Sequence, residues 1–288
     1  MNPRQCALVV DAGAGLTETA DGGLVVVPLR IMMGAVEFVD DGRAERYPEF
    51  YQLLRAGEMP STSTPSPGDY LTAFRRTQPL PVVCLTIPAR WSGMYATAVL
   101  AADMLAQEEG RHRVTVMETP TAAIGFALVC RFAASLCDSG LPAEEVVQRV
   151  RQACADVCMY GVLSTLTYVA RSGRINSLLA GISNSLHVRP VFRVIGDDTG
   201  RVALTRTSDG ALKALEKVAA EQLNGEPQWL LVFHADSPAE AATLCERLTS
   251  VATVARSELV PLAPISGAYT GPGAIGFAAI PLRDTLAV

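Results

Sequence analysis

A run of four hydroxyl side chains leads into a predicted helix in the first quarter of the chain. Residues 61–64 read Ser-Thr-Ser-Thr, and residues 65–69 read Pro-Ser-Pro-Gly-Asp. Ser66 is predicted to be the helix N-cap, with Pro67 at the first helical position and Asp69 completing a capping box. Free N–H groups and the helix dipole both favour an anion at such a place. An ordinary capped helix after a Ser/Thr/Pro loop is the other interpretation.

A second possible anion-binding site follows at Ser92 and Gly93. Residues 81–87 form an apolar run that predicts a buried strand, and residues 92–107 predict a long helix rich in Ala and Leu. Ser92 is predicted to be the N-cap of that helix. A strand, a loop, small residues and a helix start together make a second place that could accept an anion.

Acidic and phenolic groups suggest a different chemistry. Asp11 follows the apolar run of residues 6–10, at the end of a predicted strand, where α/β proteins keep their sites. Glu118 follows another predicted strand, residues 114–117. Together with Tyr269, these groups would make an enzyme that uses acid–base chemistry on a small anionic substrate in a small polar pocket. A turn that caps the next segment is the other interpretation of Asp11.

The segment of residues 267–276 has four glycines and one proline, and it includes Tyr269 and Thr270. This composition predicts a tight loop in which the backbone approaches another group closely. The functional interpretation is a loop over a ligand, and the alternative is a turn between two strands.

The sequence lacks the motifs of several known nucleotide-binding, catalytic and zinc sites. It has no P-loop, no G-x-S-x-G elbow and no H-E-x-x-H motif. Its three histidines are scattered, and Cys154 and Cys158 have no histidine or cysteine pair nearby that would make a zinc site. We therefore assign no catalytic residue, no metal site and no cofactor. Hydroxyls and backbone N–H groups in an apolar chain fit the head group and tail of an amphiphile.

The composition narrows the possible partners. Of 288 residues, 49% are apolar and only 18% are charged, so some apolar surface is expected to line a cavity or a subunit interface. The net charge of −5, without a cluster of Lys and Arg, argues against nucleic acid as a partner. No apolar run reaches the roughly 18 residues of a membrane span, and the first apolar run is too short for a signal peptide. Seven cysteines in apolar segments are expected to be reduced, in a cytoplasmic protein.

The predicted elements divide the chain near residue 160. Strands alternate with helices up to that point, which favours an α/β domain of three layers around a parallel sheet, residues 1–160. A predicted hairpin at residues 188–206 favours a smaller α+β domain with an antiparallel sheet, residues 161–288. Within the first domain, residues 24–33 predict one strand interrupted at Pro28, and residues 37–41 begin a polar connection.

Read together, four segments resemble motifs of the DegV family, and they occur in the family's order. Residues 62–66 are similar to T-S-Q-P-S, residues 92–95 to S-G-T-Y, residues 171–175 to R-G-G-R-I and residues 271–276 to G-P-G-A-L-G. The DegV family consists of bacterial fatty-acid-binding proteins and includes the carrier subunit of fatty acid kinase. The resemblance covers nearly the whole chain.

This resemblance implies a carrier, not an enzyme. A long-chain fatty acid would lie in a buried tunnel between the two domains. Thr62, Ser92 and the backbone N–H of Gly93 would hold the carboxylate, and Tyr269 and Thr270 belong to the same ligand site. A partner kinase subunit would phosphorylate the bound acid to an acyl phosphate for phospholipid synthesis. Two arginines, Arg174 and Arg206, match basic residues of the family and would contact that kinase. A regulatory module that has no ligand of its own remains a third hypothesis.

Three motifs of this chain depart from the family pattern. The family's tail motif G-x-H-x-G-P-G has a histidine where this chain has Tyr269. A phenol can donate a hydrogen bond to a carboxylate but has no positive charge at neutral pH. The family's early D-S-T is Asp-Ala-Gly at residues 11–13, and its D-S pair after the fourth strand is Glu-Thr at residues 118–119.

Overall fold

A computed structural model describes residues 3–173, 188–196, 198–223 and 225–283. The strands are β1 (Ala7–Asp11), β2 (Leu24–Val27), β3 (Leu29–Met33), β4 (Val36–Asp40), β5 (Pro60–Thr62), β6 (Val82–Thr86), β7 (Val114–Glu118), β8 (Cys158–Val162), β9 (Arg189–Ile195), β10 (Asp198–Thr205), β11 (Gln228–His234), β12 (Val254–Pro261) and β13 (Ile275–Pro281). The α-helices of the described residues are α1 (Tyr47–Arg55), α2 (Pro67–Arg75), α3 (Met94–Glu109), α4 (Ala123–Asp138), α5 (Ala143–Asp156), α6 (Thr167–Ser172), α7 (Ser208–Gln222), α8 (Pro238–Val251) and α9 (Pro264–Thr270).

The first sheet is parallel and has the strand order β2-β1-β6-β7. Its central strands are buried on both faces, which explains why they read as continuous apolar runs. Successive side chains point to opposite faces. Val9 therefore packs in the cluster that includes α2 and α3, whereas Leu8 and Val10 pack in the cluster that includes α4 and α5. The result is three layers of helices, sheet and helices.

The second sheet has six strands in the order β10-β9-β8-β13-β11-β12, antiparallel except for the pair β11–β12. One face, which includes Trp229 and Leu231, joins the same core as α4 and α5. The other face, which includes Leu230, packs against α7 and α8. The helices α4 and α5 therefore lie between the two large sheets, and one hydrophobic core extends across them.

A small antiparallel sheet, β4-β3-β5, carries part of the hydroxyl run. The side chains of β3 alternate between buried and exposed positions, so that Ile31 is buried while Arg30 and Met32 face solvent. Thr62, the last residue of β5, is paired with Ile31. This pairing fixes the position of Thr62.

The fold class is confirmed: the first part of the chain has a parallel sheet in a three-layer arrangement, and the second part has a largely antiparallel sheet with helices. The predicted boundary at residue 160 falls within β8, the first strand of the six-stranded sheet along the chain. The division into domains 1–160 and 161–288 stays a prediction.

Three predicted elements differ from the structure. Residues 24–33 form two strands in separate sheets, since Pro28, which cannot donate to a ladder, lies between them. Residues 37–40 are part of strand β4, where pairing with β3 outweighs their polar composition. Residues 267–270 belong to α9 and are not loop, because Pro264 starts a helix there that ends before Gly271.

Gly276 offers a test of the packing between β8 and β13. It lies opposite Gly161, and a Cβ at Gly276 would overlap with the carbonyl oxygen of Tyr160. We expect Gly276→Ala to lower the free energy of unfolding by about 1–3 kcal/mol through overpacking, measured by urea denaturation. The control is Gly68→Ala in the first turn of α2, where a Cβ would make only ordinary contact with Ser66. Equal stability of the two variants would refute the close approach of β8 and β13.

Candidate functional site

A cavity of about 160 Å³, the inner cavity, lies between the carboxyl edge of the parallel sheet and the six-stranded sheet. Its wall is mainly apolar and draws on both halves of the chain, with side chains that include Leu29, Met94, Phe126, Met159, Phe192 and Ile265. A cavity needs roughly 10–15 Å³ of this volume for each water-sized group. The inner cavity therefore has room for on the order of ten such groups.

The polar part of this wall brings together most of the predicted ligand residues. Thr62, Ser92, Tyr269 and Thr270 all line the inner cavity, and each is half-buried. Gly93 is exposed and is not part of the wall, but a Cβ on Gly93 would lie 3.8 Å from Cγ2 of Thr64. Segments far apart in sequence thus place their hydroxyl groups around one apolar space.

Local hydrogen bonds hold the hydroxyl run. The predicted capping box is confirmed: Asp69 N–H donates to Ser66 Oγ at 3.2 Å, and Ser66 N–H donates to Asp69 Oδ2 at 2.8 Å. Ser63 N–H donates to the carbonyl oxygen of Arg30 at 3.4 Å, which continues the pairing of β5 with β3. The loop is therefore anchored at both ends, and Thr62 lies at its start.

Tyr269 reaches Thr62 from α9, and the two hydroxyls are hydrogen-bonded. Two hydrogen bonds with residues from the first half of the chain fix the start of α9. Tyr51 donates its hydroxyl proton to the carbonyl oxygen of Leu262 at 2.9 Å, and Ile265 N–H donates to Asp40 Oδ2 at 3.1 Å. These contacts decide where Tyr269 lies.

The predicted cap at Ser92 is wrong. Gly93 is the N-cap of α3, and no side chain caps this helix. The loop before it is held instead by Arg90, which donates to the carbonyl oxygen of Gly196 at 2.9 Å, and by Ala89 N–H, which donates to Glu118 Oε2 at 2.7 Å. Ser92 is thus one residue before the N-cap, where it lines the inner cavity.

Asp11 also lines the inner cavity, and its carboxyl group is buried. Oδ1 accepts a hydrogen bond from Gly13 N–H at 2.8 Å, whereas Oδ2 has no hydrogen-bond partner in the described residues. Burial raises the pKa of Asp11 to about 7 despite the bond from Gly13. Burial likewise raises the pKa of Asp40 to about 7, and the nearby charge of Asp11 adds to this effect.

A second cavity, the outer chamber, adjoins the inner cavity and encloses about 180 Å³. Three residues, Thr62, Ser172 and Tyr269, line both spaces. The remaining residues of the outer chamber are Met59, Pro60, Ser61, Tyr168, Arg171 and Ala268. The hydrogen bond between Thr62 and Tyr269 therefore lies at the boundary between the two spaces.

Of the two predicted partner-binding residues, the structure describes one. Arg206 is exposed and lies between the end of β10 and Thr207, which caps α7. Arg174 lies outside the described residues. Sequence reasoning missed the wall residues from β8 and β9, because apolar residues beside a cavity have the same pattern as residues of a solid core. It also missed the hydroxyl of Ser172.

The DegV family model matches residues 5–282. The chain belongs to the DegV family. A DegV-domain protein of Streptomyces coelicolor is 28% identical to it over 279 residues, which are 95% of this chain and 97% of that relative. A DegV-domain protein of Deinococcus radiodurans is 30% identical over 216 residues, 74% of each chain.

Solved DegV structures have the same fold. A fatty-acid-binding DegV protein of Thermus thermophilus is 26% identical, with a TM-score of 0.84 over 96% of this chain and 100% of its own. The Fatty Acid Kinase (Fak) B3 protein of Streptococcus pneumoniae, loaded with linoleic acid, has a TM-score of 0.83 over 98% of this chain and 100% of its own. The latter is only 20% identical, so that likeness shows the fold alone.

The described part of this DegV protein contains neither a candidate membrane-spanning helix nor a candidate metal-binding cluster. None of its helices is both long enough and apolar enough to cross a bilayer. Its His, Cys, Asp and Glu side chains form no group of three or more that could hold a metal ion.

The buried carboxyls predict that stability falls as pH rises from about 4 to 7. The unfolded chain releases the protons of Asp11 and Asp40 near pH 4, whereas the folded chain keeps them up to about pH 7. The folded state binds more protons in this window, so each carboxyl lowers the free energy of unfolding by about 1.4 kcal/mol per pH unit. Urea denaturation at pH 5, 6 and 7 measures the slope.

Asp11→Asn should flatten this slope because it removes one of the two titrating groups. The matched control is Asp103→Asn, which changes an exposed carboxyl on α3 and should leave the profile as in the wild type. A slope in Asp11→Asn equal to that of the wild type would show that Asp11 does not titrate in this window.

Proposed function

We propose that this DegV protein is a carrier that binds one long-chain fatty acid in the inner cavity. The hydroxyl groups of Thr62 and Ser92 and the backbone N–H of Gly93 hold the carboxylate, while Tyr269 and Thr270 complete the polar end of the site. The main observation behind the proposal is that the side chains of Thr62, Ser92, Tyr269 and Thr270, which come from separate segments, line the same apolar cavity.

Burial of the tail supplies most of the affinity. Each buried CH₂ contributes about 0.8 kcal/mol, so a tail of about 14 such groups provides roughly 10 kcal/mol before ordering costs. The carboxylate has to be hydrogen-bonded where it leaves water, and hydroxyl and N–H donors meet that need. Apolar wall and hydroxyl donors together favour an amphiphile over a small polar substrate.

Known relatives support the ligand class. The Thermus thermophilus DegV protein binds fatty acid, and the Streptococcus pneumoniae Fak B3 protein was crystallised with linoleic acid. A DegV-fold protein of Eubacterium ventriosum binds stearic acid. These ligands share a carboxylate and a long apolar chain, the two features that the inner cavity and its hydroxyls would accommodate.

The chemistry would belong to a partner fatty acid kinase, which transfers a phosphoryl group to the carboxylate of the bound acid. The outer chamber supports this part of the proposal, because it adjoins the hydroxyls that would hold the carboxylate. Arg206 is exposed and available to a partner protein, and Arg174 is proposed for the same contact. The carrier itself requires no catalytic residue, metal or cofactor, and a cytoplasmic location is part of the proposal.

The alternative enzyme requires Asp11, Glu118 and Tyr269 to act on one substrate. Asp11 and Tyr269 line the inner cavity, but Glu118 is exposed, does not line it and accepts a hydrogen bond from Ala89 N–H. The apolar wall also disfavours a small polar substrate. The carrier therefore accounts for more of the geometry.

Removing the two hydroxyls tests the head-group assignment. Thr62→Ala with Ser92→Ala should weaken palmitate binding by about 100-fold or more, because hydrogen bonds to a charged group contribute about 1.5–3 kcal/mol each and each 1.4 kcal/mol is about tenfold in affinity. Titration calorimetry measures the affinity, and thermal unfolding checks that the fold persists. The control, Thr72→Ala on the exposed side of α2, should bind as the wild type does. Unchanged affinity in the double variant would contradict the assignment.

Replacing Arg206 tests the partner contact separately. Arg206→Ala should leave palmitate binding unchanged, since the residue lines neither cavity. With a fatty acid kinase subunit, we expect the carrier concentration for half-maximal acyl phosphate formation to rise about 5-fold, because peripheral charges act mainly on association. Arg151→Ala, which removes another exposed arginine on α5, is the control. Equal kinetics for the two variants would exclude Arg206 from the contact.

A further inference from the structure

Asp11 carries the one carboxyl group among the described residues that line the inner cavity. The same described residues include no lysine, arginine or histidine, and their other polar side chains are hydroxyls and the indole of Trp91. An ionised Asp11 would therefore have no side-chain cation beside it in this part of the wall. A buried charge without a partner is costly.

The hydrogen bonds of Asp11 are only half complete in the described residues. Oδ1 accepts from Gly13 N–H at 2.8 Å, whereas Oδ2 has no partner there and the residue is only 2% exposed. A Cβ on Gly13 would lie 2.8 Å from Asp11 Oδ1 and 3.2 Å from Ile265 Cγ2. Because Gly13 and Ile265 also line the inner cavity, the carboxyl group lies at its wall.

Asp11 shares the polar edge of the cavity with the proposed head-group residues. It is the last residue of β1, and Ser92 lies in the loop after β6, the parallel neighbour of β1. The carboxyl ends of such strands meet at one edge of the sheet. A fatty acid held by Ser92 and Thr62 would thus bring a second carboxyl group into the same apolar space. Two ionised carboxyl groups repel strongly where water is excluded.

We propose that Asp11 acts as a protonated acid toward the ligand, with its Oδ2–H donating a hydrogen bond to one carboxylate oxygen of the bound fatty acid. The two carboxyl groups then share one proton and carry a single negative charge. This inference rests on the proposed function, because it requires the fatty acid head group to lie at Thr62 and Ser92.

The other titratable and charged groups around Asp11 are already paired or uncharged. Both carboxyl oxygens of Asp40 accept backbone hydrogen bonds, at 3.2 and 3.1 Å, and Asp40 does not line the cavity. Arg131 on α4 donates to two backbone carbonyls in the turn after β1 and pairs with Glu258 at 3.5 Å. The helix α9 brings the hydrogen-bonded hydroxyl of Tyr269. Burial raises the pKa of four further groups, Tyr47 on α1, Tyr70 on α2, Cys84 on β6 and Cys130 on α4.

Such a shared proton makes fatty acid binding depend on pH above 7. Burial raises the pKa of Asp11 to about 7 without ligand, and a ligand carboxylate beside it raises that pKa further. Below pH 7 the proton is present with or without ligand. Above pH 7 the free protein has lost the proton and the complex holds it, so binding takes up close to one proton. The affinity should then fall about 10-fold between pH 6 and pH 8.

Titration calorimetry with palmitate at pH 8, in two buffers of different ionisation enthalpy, counts the protons taken up. We expect close to one proton per palmitate for the wild type and close to none for Asp11→Asn, because the amide offers an N–H donor but does not titrate. The affinity of Asp11→Asn should also stay constant between pH 6 and pH 8. Asp103→Asn on α3, which replaces an exposed carboxyl, is the control and should behave as the wild type does.

Hexadecanol gives a second test that needs no variant. It has the chain length of palmitate but no charge, so its binding to the wild type should take up less than half a proton at pH 8. Equal uptake with both ligands would mean that exclusion of water, and not the ligand carboxylate, keeps the proton on Asp11, which would overturn the pair.

Three further outcomes are decisive. Palmitate binding to the wild type at pH 8 without proton uptake would overturn the inference and leave the carrier intact. Uptake by Asp11→Asn equal to that of the wild type would place the proton on another group. Failure of the wild type to bind palmitate even at pH 6 would instead overturn the proposed function.

Discussion

The hydrogen bond between Thr62 and Tyr269 joins segments that are 207 residues apart in the sequence. Thr62 reaches this point because β5 pairs with β3, and Tyr269 reaches it because Tyr51 and Asp40 fix the start of α9. The bond lies at the boundary between the inner cavity and the outer chamber. A change in either the small sheet or α9 would therefore alter the polar end of the proposed site.

In the proposed carrier, the inner cavity and the hydroxyls at its boundary would contribute different forces to ligand binding. The inner cavity offers apolar surface, which gives affinity without direction. The hydroxyls at its boundary give direction, because hydrogen bonds require a defined geometry. Neither Thr62 nor Tyr269 brings a positive charge to this boundary, so the carboxylate would be held by neutral donors. Among the described residues that line the outer chamber, Arg171 is the one with a charged side chain.

Features that depend mainly on neighbouring residues in the chain were predicted correctly from the sequence. The capping box of Ser66 and Asp69 and the apolar strands of the parallel sheet were correct, because neighbouring residues largely fix such features. The N-cap at Ser92 was wrong, since the loop before α3 is held by Arg90 and Glu118 from outside the helix. The composition of residues 267–270 predicts a loop, whereas contacts from α1 and β4 stabilise a helix there.

The cavity could not have been derived from periodicity. Met159 and Phe192 read as ordinary strand residues, and only the meeting of two sheets makes them the wall of a cavity. The resemblance of four short motifs to the DegV family predicts a tunnel and a class of ligand, which periodicity alone does not. The family model and the solved DegV structures confirm the family and the fold class, and the proposed function assigns roles to Thr62, Ser92 and Gly93.

A crystal structure of the protein grown with palmitate is the most direct measurement of the central claim. If the protein is a fatty acid carrier, the map will show continuous electron density for the acyl chain in the inner cavity. The carboxylate oxygens will lie within hydrogen-bond distance of Thr62 Oγ1 and Ser92 Oγ. An inner cavity without ligand density, or a chain whose carboxylate lies away from both hydroxyls, would contradict it.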